Sequence, residues 1–356
     1  MAEKQIVVLG AGYAGLAAAA RAGGRRNRVT LVAPETRFLH RVRQHETAAG
    51  HPAQRPTVAQ VVRGRGVRHI PARATALDLD ARKVTLDTGE TIPYDTLVYA
   101  LGSRTAWHGV PGAAEHAYPA ERAAELGARL RAADRPGTVA VVGGGATGIE
   151  LATEIAEAHP RWTVRIVAAG QVGGWLSARG RRHILDVMAR LGVEVHEQST
   201  VTAVDPAGLD TTAGRIPADL VAWAAALEPH PLAAEAGLTV NAAGQAVVDD
   251  HLRSVSHPDV HVIGDAAEVT VPGTGTLRMS CATALPMGRY LGGLLAGGAD
   301  KPFAFRYAVQ CLSLGRRDGM VQLIHGDDSM RPTVLTGLTG RLIKALIVNG
   351  VVWSLR

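Results

Sequence analysis

Two glycine clusters carry the first readable chemistry. Gly10-Ala-Gly12-Tyr-Ala-Gly15 and Gly143-Gly-Gly145-Ala-Thr-Gly148 share the spacing G-x-G-x-x-G. In that spacing the first glycine permits a tight turn and the second lets backbone N–H groups approach a pyrophosphate. The third lets a helix pack closely on a strand. The partial positive charge of the helix start then faces the phosphates. The motif alone is a weak signal, and its setting decides its meaning.

That setting is the same twice. Gln5-Ile-Val-Val-Leu9 precedes the first cluster, and the alanine-rich stretch 16–22 and the apolar run 28–32 follow it. The second cluster follows the apolar run 138–142 and leads into 149–158 and 164–167. Each reads as strand, turn, helix, strand, which predicts two dinucleotide sites 133 residues apart (143 − 10). Between them, 83–86 and 91–93 flank Asp87-Thr-Gly89, a hairpin signal, and a buried strand runs from Tyr94 to Gly102. Residues 216–226 echo this pattern after the second cluster. Val260-His-Val-Ile-Gly264-Asp265 reads as a strand closing on Gly-Asp, with a helical stretch, Cys281–Leu295, beyond it.

Composition narrows the remaining choices. The 356 residues suggest two or three domains at about 150 residues each. With 47 % hydrophobic and 20 % charged residues the chain is globular rather than disordered. Two cysteines exclude a disulfide scaffold and a multi-cysteine metal centre, and no histidine spacing points to a metal. No apolar run reaches the roughly 18 residues that span a bilayer. Met-Ala-Glu-Lys leads straight into a strand, so a cytoplasmic protein is expected. A net charge of +6 spread over the chain gives no basis for a nucleic-acid partner. Arg179, Arg181 and Arg182 read as a solvated helix face.

Together these motifs resemble the two-dinucleotide-binding-domain flavoproteins of the pyridine-nucleotide–disulfide oxidoreductase superfamily, in particular the type II NADH dehydrogenase-like branch. The resemblance covers residues 5 to about 295. It implies an α/β fold with two Rossmann-like domains, the nicotinamide domain inserted in the flavin domain. The expected division is 1–105 with 240–295 for FAD, 106–239 for NAD(P), and 296–356 as a small C-terminal module. It implies FAD at Gly10, Gly12, Ala14 and Gly15, with Ala74, Gly102 and Ala284 in the same binding set. NADH or NADPH would take Gly143, Gly145 and Gly148 as co-substrate. Gly264 and Asp265 would touch the ribityl chain, and the helix beginning near Ala282 would point its positive end at the flavin. Glu150 matches a family glutamate lying between nicotinamide, flavin and acceptor and is the catalytic candidate, the other reading being a helix-start glutamate favoured by the dipole. Arg43 and His45 lie in a stretch that runs under the flavin in the family: Arg43 could reach the cofactor and His45 could handle a proton, or both belong to a solvated face.

Some positions depart from the pattern. Ala33 stands where an acid usually binds the adenosine ribose, leaving Glu35 as the substitute or as a loop glutamate. Ala168 and Ala169 leave the second site without an acid, a gap NADPH tolerates better, especially if Arg165 or a loop arginine meets its 2′-phosphate. Cys281 and Cys311, 30 residues apart, do not fit a redox disulfide, and Cys281 reads as a buried inert thiol. Two glutamines of quinone-reducing members are replaced by Ala282 and Pro286, which favours another small organic acceptor. Leu342, Ile343, Leu346 and Ile347 form a helical stripe near Trp353. It is suited to docking on the protein body or a second copy, and it also permits peripheral membrane contact. The expected function is hydride transfer from NAD(P)H through FAD to a small acceptor. The alternatives are direct oxidation of an organic substrate, or a redox sensor without turnover.

Overall fold

The computed structural model describes residues 3–24, 27–51 and 55–355; the side chains of Val352 and Trp353 lie outside that description. Two parallel five-stranded sheets form the frame. In the first, the strands run in the order Val260–Val262, Thr96–Tyr99, Lys4–Leu9, Asn27–Val32 and Val67–Ile70. In the second, the order is Glu194–His196, Trp162–Val167, Gly137–Val142, Leu220–Trp223 and Ala117–Pro119. Each centres on the strand entering a glycine cluster: Val8 pairs with Leu31 and Val98, and Val141 with Ile166 and Ala222. Helices and hairpins cover both faces, which is why these central strands are near-continuous apolar runs rather than alternating ones.

The repeat seen in the sequence extends to the antiparallel arms. One is Ala74–Asp78, Lys83–Leu86 and Thr91–Pro93; the other is Val201–Asp205, Gly208–Thr211 and Gly214–Pro217. The chain leaves the first sheet after residue 99, builds the second, and returns at Val260. Ser103–Thr105 and Leu227–Pro229 form the antiparallel crossing between them.

The helices Tyr13–Ala22 and Cys281–Leu295 pack closely because small residues face each other. A Cβ added at Gly288 would lie 2.2 Å from the Ala14 carbonyl oxygen, and one at Gly292 would lie 2.7 Å from that of Ala18. Ser280 caps the second helix by accepting from the Thr283 N–H. Beyond it, Val309–Leu314, Asp318–Ile324 and Met330–Thr336 form an antiparallel sheet, followed by the C-terminal helix Gly337–Ser354.

That helix corrects one expectation. Leu342 and Leu346 do not dock on the protein body: with Leu338 they are exposed, Ile343 and Ile347 are half-buried, and Lys344 and Val348 are buried. The physical reason is a buried carboxylate beneath the helix that requires a cation. No helix among the described residues is long and apolar enough to cross a membrane.

Candidate active site

The two glycine turns have the geometry their spacing predicts. Gly10 has φ +99°, and a Cβ there would sit 2.4 Å from the Ala100 carbonyl oxygen. One on Gly15 would sit 1.9 Å from the Gly10 carbonyl oxygen. Gly12 is different, since a Cβ there meets nothing within 4 Å. The second cluster repeats this: Gly143 and Gly148 are closed by neighbouring backbone, whereas Gly145 is open. Both middle glycines therefore leave a free backbone face at a helix start, the cradle a pyrophosphate needs.

At the close of the first sheet, Gly264 adopts φ +75° with Ala14 and Ala284 beside it. Asp265 Oδ2 accepts a 2.6 Å hydrogen bond from Ser103 Oγ. Its Oδ1 is buried without a partner. A buried carboxylate oxygen left open in this way fits a ligand hydroxyl, so the donor set suits the ribityl chain of a flavin. Arg41 donates to the Ser103 carbonyl oxygen and pairs with Glu121 at 2.8 Å. Sequence reasoning missed both Arg41 and Ser103. Gly102, at φ +67°, opens the segment that carries Ser103. Ala74 lies opposite Leu86 in the first hairpin arm, and Glu35 is exposed beyond the buried Ala33.

Glu150 lies on the helix Ala146–Ala158, which starts at the second glycine cluster. It is 6 % exposed. Lys344 Nζ stands 2.9 Å from its Oε1, the Ser313 N–H donates to the same oxygen at 2.9 Å, and His45 Nδ1 lies 3.7 Å from Oε2. Burial pushes the carboxyl up, but Lys344, His45 and the Ser313 N–H outweigh it and hold Glu150 below its usual range. Burial alone would discharge Lys344; Glu150 reverses this and raises it. Burial pushes His45 down, toward neutral imidazole, against the pull of Glu150.

Lys344 was also missed. The available signal was a single charge inside Leu342-Ile-Lys-Ala-Leu-Ile-Val348, which calls for a buried partner. Lys344 donates to the Cys311 carbonyl oxygen as well, at 3.2 Å. Both cysteines are free. Burial pushes the Cys281 thiol up to about 11, and Lys344, Cys311, Glu150 and Asp265 all act on it electrostatically. The start of the Cys281–Leu295 helix thus lies within the field of groups from both sheets and the C-terminal module.

Other candidates are engaged elsewhere. Arg43 pairs with Glu46 at 3.0 Å and reaches Asn349 on the C-terminal helix, while its neighbour Arg41 is the one directed at Ser103. Arg165 does not stand free for a 2′-phosphate, because it donates to Glu194 and to the Pro217 carbonyl oxygen, both at 2.7 Å. Arg181 is held by Glu197 rather than solvated, whereas Arg179 and Arg182 are exposed.

Comparison with known proteins gives the family. The pyridine nucleotide-disulphide oxidoreductase family matches residues 4–288. An NADH dehydrogenase-like protein of Mycobacterium tuberculosis is 31 % identical over 315 residues, covering 81 % of this chain and 79 % of that one. A type II NADH:quinone oxidoreductase of the same organism is 29 % identical, over 76 % of this chain and 67 % of its own length. Among solved structures, the NDH2 of Plasmodium falciparum in complex with NADH superposes with a TM-score of 0.85 at 14 % identity, over 100 % of this chain and 96 % of that one. With the family match spanning both glycine clusters and both sheets, this chain belongs to the pyridine nucleotide-disulphide oxidoreductases.

Proposed function

We propose that the protein is an FAD-dependent oxidoreductase that takes a hydride from NADH or NADPH and passes the electrons to a small organic acceptor, a quinone or a specialised metabolite. The observation that carries this reading is geometric: the glycine turns at Gly12 and Gly145 are both open, and beside the first, next to Gly264 and Ala14, Asp265 keeps a buried carboxylate oxygen without a partner. A flavin held by Gly10, Gly12, Ala14, Gly15, Gly264, Asp265 and Ala284 would supply the two-electron chemistry there.

The chain's own residues account for the rest. Asp265 offers its open oxygen to a cofactor hydroxyl, with Ser103 fixing the other. The open backbone at Gly145 receives the nicotinamide dinucleotide's phosphates. Glu150 is the ionised carboxylate of the site, and Lys344 fixes its charge and position. Ala282 and Pro286, lacking side-chain hydrogen-bond donors, favour an acceptor recognised by shape and by the Glu150–Lys344 pair. The boundaries expected from the sequence, 1–105 with 240–295, 106–239 and 296–356, are retained in this reading. The outward row Leu338, Leu342 and Leu346 supports peripheral contact, with a membrane surface or a second copy.

Anaerobic titration of the flavin-loaded protein with NADH and, separately, NADPH tests the proposal. Stoichiometric bleaching of the oxidised flavin band by one of them is the expected result and reports the preference that Ala168 leaves open. No bleaching by either overturns it in favour of direct substrate oxidation or a sensor.

A further inference from the structure

We propose that a cavity beneath the C-terminal helix is the inlet through which solvent protons reach the acceptor site, with His45 passing them to Glu150. The proposal rests on the reductase reading above. The stoichiometry requires such an inlet for a quinone-type acceptor. NAD(P)H gives two electrons and one proton, whereas reduction of a quinone to its quinol takes two electrons and two protons. One proton per turnover therefore comes from solvent.

The cavity measures about 150 Å³ and is lined by His45, Glu46, Ser313, Arg316 and Lys344, among others. One water needs roughly 10–15 Å³ by this measure together with two to four polar partners, so the space and its lining suit several waters. It reaches the surface beside Arg341 and Ala345, both exposed. Two of the lining side chains, His45 and Lys344, also pair with the Glu150 carboxylate. Lys344 is held charged by Glu150 and serves as a fixed counter-ion.

His45 is suited to the transfer. It is 5 % exposed, its Nδ1 lies toward Glu150, and its Nε2 is buried without a partner. The 3.7 Å separation is long for a hydrogen bond, as such pairs often are before substrate binds. A neutral imidazole protonated on Nδ1 directs a donor at Glu150 and an acceptor away from it. Uptake at Nε2 and release from Nδ1 then moves one proton and leaves the ring neutral. The charged groups acting on the ring are Glu150 on the glycine-cluster helix, Lys344 on the C-terminal helix, Glu46 beside it and Arg316 on the turn above.

The test compares two acceptors, 1,4-benzoquinone, which takes up protons, and ferricyanide, which takes electrons alone. For His45→Gln, the ratio of benzoquinone turnover to ferricyanide turnover should fall about tenfold or more. Free imidazole should restore benzoquinone turnover to His45→Ala. Ala345→Phe, which fills the cavity from the outer helix without touching Glu150, should show the same selective loss. Nitrogen-15 NMR of the loaded protein should find His45 protonated on Nδ1 and bare on Nε2. Equal losses with both acceptors, no loss with either, or the opposite tautomer overturns the proposal. Failure of the unaltered protein to reduce ferricyanide with either nucleotide removes the reductase reading itself, and this proposal with it.

Discussion

Glu150 and Glu154 stand one turn apart on the same helix, and both are more than nine-tenths buried. Their charge states differ. Glu150 has Lys344 at 2.9 Å, a backbone N–H at 2.9 Å and His45 nearby, and it is held ionised. Neither oxygen of Glu154 has a hydrogen-bond partner, and its nearest cation, Arg316, is 3.5 Å away and about half exposed. Burial pushes its carboxyl up to about 7, with Arg316 opposing and Glu46, Glu157 and Glu150 adding repulsion. Burial is common to both residues; the partners supplied by the C-terminal module make the difference. The module thus does more than cover the second sheet: it sets the charge of the site.

Removing the decisive partner should have the largest effect. Lys344→Met leaves an uncompensated buried carboxylate and should destabilise the fold by about 3–5 kcal/mol in denaturant unfolding. Adding Glu150→Gln should recover much of that loss, and a double variant as unstable as Lys344→Met alone would break the comparison.

The pH dependence should separate the two carboxyls next. Glu154 binds its proton more tightly folded than unfolded, so the stability it contributes is complete below about pH 4.5 and is lost as pH rises through about 7. The loss is at most roughly 3–4 kcal/mol, since each unit is about 1.4 kcal/mol. Glu154→Gln should flatten that slope in melts across the range. Glu150 has the opposite sign: its contribution is present above its unfolded pKa and lost as pH falls through its lowered one.

Smaller effects refine the picture. Arg316→Gln should raise the Glu154 pKa further, as read by carbon-13 NMR, while costing less than about 1 kcal/mol, because Arg316 is partly exposed. Cys281 extends the rule to a thiol, since burial is its dominant influence. It should alkylate with iodoacetamide at about pH 8 more slowly than free cysteine, whose pKa is about 8.5. Rapid alkylation would mean that the nearby Lys344 charge governs it instead.

The fold was legible where local pattern and tertiary role coincide. Residues 5–9 and 138–142 are apolar because both faces of their sheets are covered, and the glycines beside them mark turns no other residue fits. The helix Cys281–Leu295 was legible as a helical stretch beyond Gly264-Asp265, and the structure adds the Ser280 cap at its start. The site was less legible because its partners come from distant segments. Ser103 meets Asp265 across 162 residues, and Ser313 meets Glu150 across 163. Nothing local marks such pairs. Docking of the C-terminal stripe on the protein body fails for a related reason: periodicity would turn Leu342 and Leu346 onto it, but a buried anion turns Lys344 in and leaves them outside.

Isotope-edited infrared titration of Glu150 and Glu154 reads both charge states in one experiment. At about pH 6 Glu150 should be ionised and Glu154 protonated. Two carboxyls titrating together, or a protonated Glu150 beside an ionised Glu154, would contradict this assignment.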